Sequence, residues 1–329
     1  MSFLVIITVM ITLGVAFVNG MTDAPNAIVS CVSTKCLSLN KAVLIAAVSD
    51  FIGSLLFGLL NGKVTATVID IAAFNDSENS LVGFSCAMFT VVIWAFAAWY
   101  FGFPTSESHA LLAALAGSGC AVNGSFVFNY SAWYKVIFGL IISVAAGFAA
   151  GYISYKFVAV FDGKNNDRIF RNFQIGTSVL MSFMHGAQDS QKFTGVIMLA
   201  VSSLRYSFDY KSTPLIYLLC PLFISFGTLA GGERIIKTVG SDMVMMDVEQ
   251  GFSSDFAGAI CLLVTTLMGM PVSTTHTKTS AVLGAGVAKD SETVNFRIAG
   301  EMVAAWIATF PFCGLLSFVV TKIILVLIK

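Results

Sequence analysis

Apolar stretches separated by short polar breaks run along the whole chain: Phe3–Val18, Ala42–Leu60, Leu81–Phe103, Ala110–Val122, Val136–Val160, Phe173–Met184, Val196–Leu204, Leu215–Ala230, Phe256–Met270, Ala281–Ala288 and Met302–Ile328. Runs near ~20 residues have the length of a helix that crosses a bilayer. Others are too short. Phe256–Met270, with 15 residues, makes about 22 Å of helix at about 1.5 Å per residue, against a hydrocarbon core of about 30 Å. The stretch after it is shorter still and ends at Lys289 and Asp290. Two short apolar arms joined by Pro271 and hydroxyl residues predict a re-entrant hairpin with its tip near the membrane midplane. The pattern therefore predicts an all-α polytopic membrane protein with broken helices, re-entrant hairpins and about 10–12 membrane segments.

Composition agrees. The 329 residues are 57% hydrophobic and 11% charged, where soluble domains average about 25% charged. Net charge is zero and no basic tract offers a nucleic-acid surface. The opening MSFLVIITVMITLGVAF lacks a positive flank and a small-residue cleavage site, so it reads as a retained first span. Cys31, Cys36, Cys86, Cys120, Cys220, Cys261 and Cys313 show no metal-ligand spacing, and packing is their expected role. The loop Asp162–Arg171, taken with Lys156, holds four basic residues against two acidic ones, which places it in the cytoplasm. Asp70, Asp76 and Glu78 mark an external loop, and Arg234 with Lys237 a second internal stretch.

Two polar motifs recur. NGMTDAPN (Asn19–Asn26) resembles HGAQDSQK (His185–Lys192), with Asp23 and Asp189 166 residues apart. PTSESH (residues 104–109) resembles PVSTTH (residues 271–276), with His109 and His276 167 residues apart. Two motifs in one order at one offset indicate a duplication. The division expected is 1–160 for the first repeat, 161–172 for a cytoplasmic connecting loop and 173–329 for the second. Transporters are commonly built from repeated halves, with the substrate site between them at the midplane.

The motifs have chemistry to match. Pro suits the first helical turn and Ser or Thr the cap, so each P-x-S-x-[ST]-H reads as a helix start. Free N–H groups there make an anion site, for which Thr105, Ser106, Ser108, Ser273, Thr274 and Thr275 are the candidate hydroxyl residues. An ionised aspartate in the membrane costs roughly 2.5–3.5 kcal/mol and usually has a functional reason. Asp23, Asn26, Asp189 and Gln188 offer oxygens to a hard cation such as Na+, or one Asp could carry a proton. A buried Asp189–Lys192 pair is the purely structural alternative. Glu107 has three readings: an ion pair with Lys278 or Lys192, a cation ligand, or a titrating group. His109, His276 and Lys192 are candidates for proton or gating roles, with a satisfied structural histidine as the alternative.

Together N-G-x-x-D-x-x-N-A, H-G-x-x-D-x-Q-K, both P-x-S-x-[ST]-H motifs and GGERIIKTVG (Gly231–Gly240) resemble the PiT inorganic phosphate transporter family, in a bacterial short form without a large central soluble insert. The resemblance implies two inverted repeats, a transport domain against a scaffold, a homodimer in the cell membrane, and symport of inorganic phosphate with Na+ or H+ by alternating access. Carried over by position, Asp23, Asn26 and Asp189 look like cation-site residues, the metal being Na+ if coupling is to sodium. Ser106, Ser108, Ser273, Thr274 and Thr275 look like phosphate-site residues. No cofactor beyond the coupling ion, no catalytic residue and no nucleic-acid partner are expected. Sulfate or another oxyanion on the same fold is the main alternative. An intramembrane hydrolase would have no need to duplicate every polar motif, and a channel would have no need of paired aspartates at broken helices.

Overall fold

Proline decides where the first polar motif breaks the chain. Helix α1 (Ser2–Thr22) stops before Asp23, and α2 (Pro25–Ser33) restarts with Pro25 in its first turn, where its missing N–H is no loss. The matching position of the second motif is Gln191, which keeps its N–H, and α8 runs unbroken from Asp167 to Ser202. In this computed structural model the described residues are 2–72, 74, 77–101, 105–126, 129–160, 167–203, 214–231 and 236–328. Pro104, Asp76, Arg234 and residues 162–166 of the Asp162–Arg171 loop lie outside them.

The remaining helices are α3 (Leu39–Leu60), α4 (Lys63–Ile71), α5 (Ser77–Phe101), α6 (Glu107–Asn123), α7 (Tyr130–Ala159), α9 (Pro214–Ala230), α10 (Val248–Leu267), α11 (Thr274–Lys289) and α12 (Phe296–Leu327), with a π-helical turn at Thr238–Met243. Among the described residues five helical stretches are long and apolar enough to cross a membrane: Phe3–Ser33, Leu39–Leu60, Asn79–Phe101, Tyr130–Ala159 and Phe296–Leu327. Leu215–Ala230 is a shorter apolar helix. Burial is inverted relative to a soluble protein. Lys192 and Lys278 are among the largest fully buried side chains, while Leu60 is 81% and Ile307 69% exposed. A surface of this kind suits lipid.

Three expectations change. Residues 167–172, expected in the connecting loop, form the first turns of α8. The apolar segments Phe173–Met184 and Val196–Leu204 are one helix of 36 residues, because the polar run between them is buried against protein instead of lipid. The hairpin arm expected at Phe256–Met270 begins at Val248 and has 20 residues, about 30 Å at about 1.5 Å per residue. A capping box between Asp247 and Gln250 starts it, so its first two turns are too polar for a hydropathy reading to find.

The halves correspond helix by helix. α1 packs on α9 as α8 packs on α3; α5 packs on α6 as α10 packs on α11; α6 packs on α12 as α11 packs on α7. The close approaches repeat too. A Cβ on Gly117 would lie 2.0 Å from the Gly314 carbonyl oxygen, and one on Gly284, 167 residues on, would lie 2.1 Å from that of Phe148. Neither backbone has room to yield. Gly117→Ala is therefore expected to cost about 1–3 kcal/mol or more, read as a fall in the thermal unfolding midpoint of the purified protein.

Candidate functional site

The polar motifs converge on one buried centre. Ser106 caps α6 by accepting from the His109 amide at 3.2 Å. Ser273 caps α11 by accepting from the His276 amide at 3.1 Å. The two helix starts then meet: the His109 and His276 rings lie edge to face with centroids 4.3 Å apart. His276 also stacks on Trp306 at 3.8 Å, and His109 lies 5.0 Å from the Phe310 ring. Both histidines sit in an aromatic cluster behind the helix starts.

In front of those starts are the aspartates. Thr275 Oγ1 donates to Asp23 Oδ1 at 2.8 Å, and Thr274 Oγ1 to Asp189 Oδ2 at 3.4 Å. Asn19 Nδ2 spans the two carboxylates, 3.2 Å from Asp23 Oδ2 and 3.0 Å from Asp189 Oδ2. Asn26 Nδ2 donates to the Asp23 main-chain oxygen at 3.2 Å and to Thr275 Oγ1 at 3.3 Å. Lys192 Nζ reaches Asp189 Oδ1 at 2.6 Å, the Val272 carbonyl at 2.7 Å and Ser108 Oγ. It thereby ties α8 to the tips of both hairpins. Glu107 accepts from Thr22 Oγ1.

Asn19 Oδ1, Asn26 Oδ1 and Glu107 Oε2 are buried without a hydrogen-bond partner. Unpaired buried oxygens beside two carboxylates are chemically suited to a hard monovalent cation or a proton.

Asp23, Asn26, Asp189, Ser108, Thr274, Thr275, Lys192 and Glu107 thus come together. Thr105 is buried just before α6. Gln188 takes another place: its Nε2 donates to the Met270 carbonyl at 2.8 Å and its Oε1 accepts from Thr266 at 2.6 Å, so it braces the turn between α10 and α11. Glu107 pairs with neither lysine, because Lys192 belongs to Asp189 and Lys278 to Asp255. The sequence reading missed Asn19, although it stands one turn before Asp23 in the first motif. It also missed Asp50, which reaches His185 Nδ1 at 3.1 Å and accepts from Thr228 at 2.9 Å. Asp50 lies in α3 with no motif around it, and only packing brings it to α8.

Matching helix packing, a lipid-suited exterior and charged groups gathered at the meeting of paired helix starts define a membrane transport protein. The model of the phosphate transporter family matches residues 19–167 and 159–317. A probable low-affinity inorganic phosphate transporter of Bacillus subtilis is 34% identical over 325 residues, covering 96% of this chain and 97% of the relative. One of Rhizobium meliloti, also described as a probable low-affinity inorganic phosphate transporter, is 34% identical over 307 residues, 92% and 90% of the two chains. A solved structure described as the sodium-dependent phosphate transporter superposes with a TM-score of 0.88 at 21% identity, covering 98% of this chain and 99% of its own. The chain belongs to the phosphate transporter family; it is a multi-pass membrane transporter and not an enzyme.

Proposed function

We propose that the protein imports inorganic phosphate across the cell membrane by symport with Na+, with access alternating about the centre between two inverted repeats. The observation that carries the reading is the set of unpartnered oxygens on Asn19, Asn26 and Glu107 beside Asp23 and Asp189, where the starts of α6 and α11 meet. The oxygens suit a cation. The helix starts, with the Ser108, Thr274 and Thr275 hydroxyls, suit an oxyanion. The cation has a plain electrical purpose: an anion entering a negative cell works against about 2.3 kcal/mol per charge per 100 mV. The name of the structural neighbour and those of the curated relatives support both halves of the proposal.

Radiolabelled phosphate uptake into proteoliposomes tests it, with a Na+ gradient and a proton gradient imposed separately and excess sulfate as competitor. Uptake driven by Na+ and indifferent to sulfate is expected. Uptake driven only by protons would move the coupling to Glu107, and full suppression by sulfate would replace the anion.

Ser106 and Ser273 act here by holding the helix starts in place. Ser106→Ala with Ser273→Ala is expected to cost about 1 kcal/mol per cap and to raise the KM for phosphate. An unchanged KM in the same uptake assay would move the anion site away from these helix starts.

A further inference from the structure

The duplication pairs each buried position in one half with a position in the other, and at one place the paired chemistries are opposite. Lys278 and Asp255 correspond, at the offset of 167 set by the histidine motifs, to Leu111 and Met88. Ser30 and Ser178 correspond, at the offset of 166 set by the aspartate motifs, to Val196 and Thr12. All eight are buried. Leu111, Met88 and Val196 belong to one apolar core cluster, and Thr12 turns its hydroxyl to the Thr8 carbonyl at 2.7 Å. The fold therefore does not need charge at this position; one half has it and the other has hydrocarbon.

The polar version is a connected centre. Lys278 Nζ bonds Asp255 Oδ1, Ser254 Oγ at 3.0 Å and Ser30 Oγ at 3.3 Å. Asp255 also accepts from Ser30 at 2.6 Å and from Ser178 at 2.7 Å. It connects in two directions along α8. Ser182, one turn from Ser178 and two turns before Asp189, is buried on α8. Gln174, one turn the other way, accepts from Thr34 at 2.9 Å beneath the exposed Lys35 and Arg171. Gly251 makes room for the Gln174 amide, since a Cβ there would lie 1.9 Å from Gln174 Nε2.

Donors are left unpaired here. Gln174 Nε2 and the Ser182 hydroxyl, one turn either side of Ser178, and Gln250 Nε2, one turn before Ser254, are buried without a hydrogen-bond partner. Amide N–H groups can only donate and hydroxyls can donate. Beside an ammonium whose carboxylate partner can be exchanged, such donors match an oxyanion.

We propose that Lys278 and the donors around it form a second oxyanion-binding station, on the route from the Asp23–Asp189 centre to the protein face at Lys35 and Arg171. Lys278 exchanges Asp255 for the passing anion and returns to Asp255 when the anion has left. No covalent step is involved. The proposal rests on the transport reading above and adds where the anion travels and which residue receives it. The matching apolar cluster at Leu111 and Met88 offers no such station on the other side of the centre.

The test combines phosphate binding in nanodiscs, with Na+ present, and uptake in proteoliposomes. Asp255→Asn frees Lys278 and is expected to raise bound phosphate from one to two per chain. Asp255→Asn with Lys278→Met removes both charges together, the change that buried ion pairs tolerate best. That double variant is expected to bind one phosphate per chain as the wild type does, while its uptake falls by about tenfold. Single occupancy in Asp255→Asn would overturn the station. If that variant does not fold, the double variant decides the matter: uptake at the wild-type rate overturns the station, and slowed uptake with intact binding supports it. A wild-type protein that binds no phosphate would instead bring down the transport reading, and the station with it.

Discussion

Asp23→Asn is expected to abolish cation-driven phosphate uptake while leaving the protein folded. Asp23 has hydroxyl and amide partners but no ion pair among the described residues: Thr275 at 2.8 Å and Asn19 at 3.2 Å on its carboxylate. An asparagine has the same shape and keeps an oxygen for Thr275. No buried cation is stranded by the change, so the unfolding midpoint should move little. The loss is one negative charge from a set of oxygens that includes the neutral amides of Asn19 and Asn26, and a cation held by coupling needs that charge. Coupling between two ligands is typically worth 1–3 kcal/mol, or about 5- to 150-fold in affinity. In wild type, Na+ should tighten phosphate binding by a factor in that range, and in Asp23→Asn the factor should fall to about one. Binding titrations with and without Na+ measure it directly. A retained Na+ effect would remove Asp23 from the cation site.

The motifs could be read from the sequence because polar residues stand out in so apolar a chain. Their repetition at a fixed offset then gave the order of the helices: α5, α6 and α7 of the first half return as α10, α11 and α12 of the second. What hydropathy could not show was where polarity is sheltered. The run from His185 to Lys192 read as an interruption, yet it lies inside one continuous helix because α3, α10 and the hairpin tips cover it. The start of α10 was hidden for the same reason. Asp50 and Asp255 were invisible as site residues for another reason: each stands outside any recurring motif, with partners 135 and 23 residues away. No local spacing marks such a residue; it becomes legible only when the repeat is used as a ruler and its counterpart is found to be apolar.

Lys192 should prove the most costly single side chain to remove. Its ammonium is fully buried and bonded to Asp189, to Ser108 and to the Val272 carbonyl, so it links α8 to the starts of both hairpins. Lys192→Met leaves the buried Asp189 carboxylate without its ammonium, with only the His185 ring 3.6 Å away on the other oxygen, and breaking a buried pair from one side typically costs 3–5 kcal/mol. Asp189→Asn strands Lys192 and should cost a similar amount, in contrast to Asp23→Asn. Combining the two changes removes both charges, so the double variant should be far more stable than the sum of the single effects implies. The interaction energy in that cycle is the stability share of the pair. Uptake should separate from stability in the double variant. Asp189 would no longer offer a charge beside Asn19, and Ser108 would no longer be tied to Val272, so coupled uptake should stay abolished although the fold is restored. Unfolding midpoints of the four proteins, set against phosphate uptake under a Na+ gradient, give both quantities. Recovery of uptake together with stability would mean that the pair only holds the helices in place, and that the cation is bound through Asp23 alone.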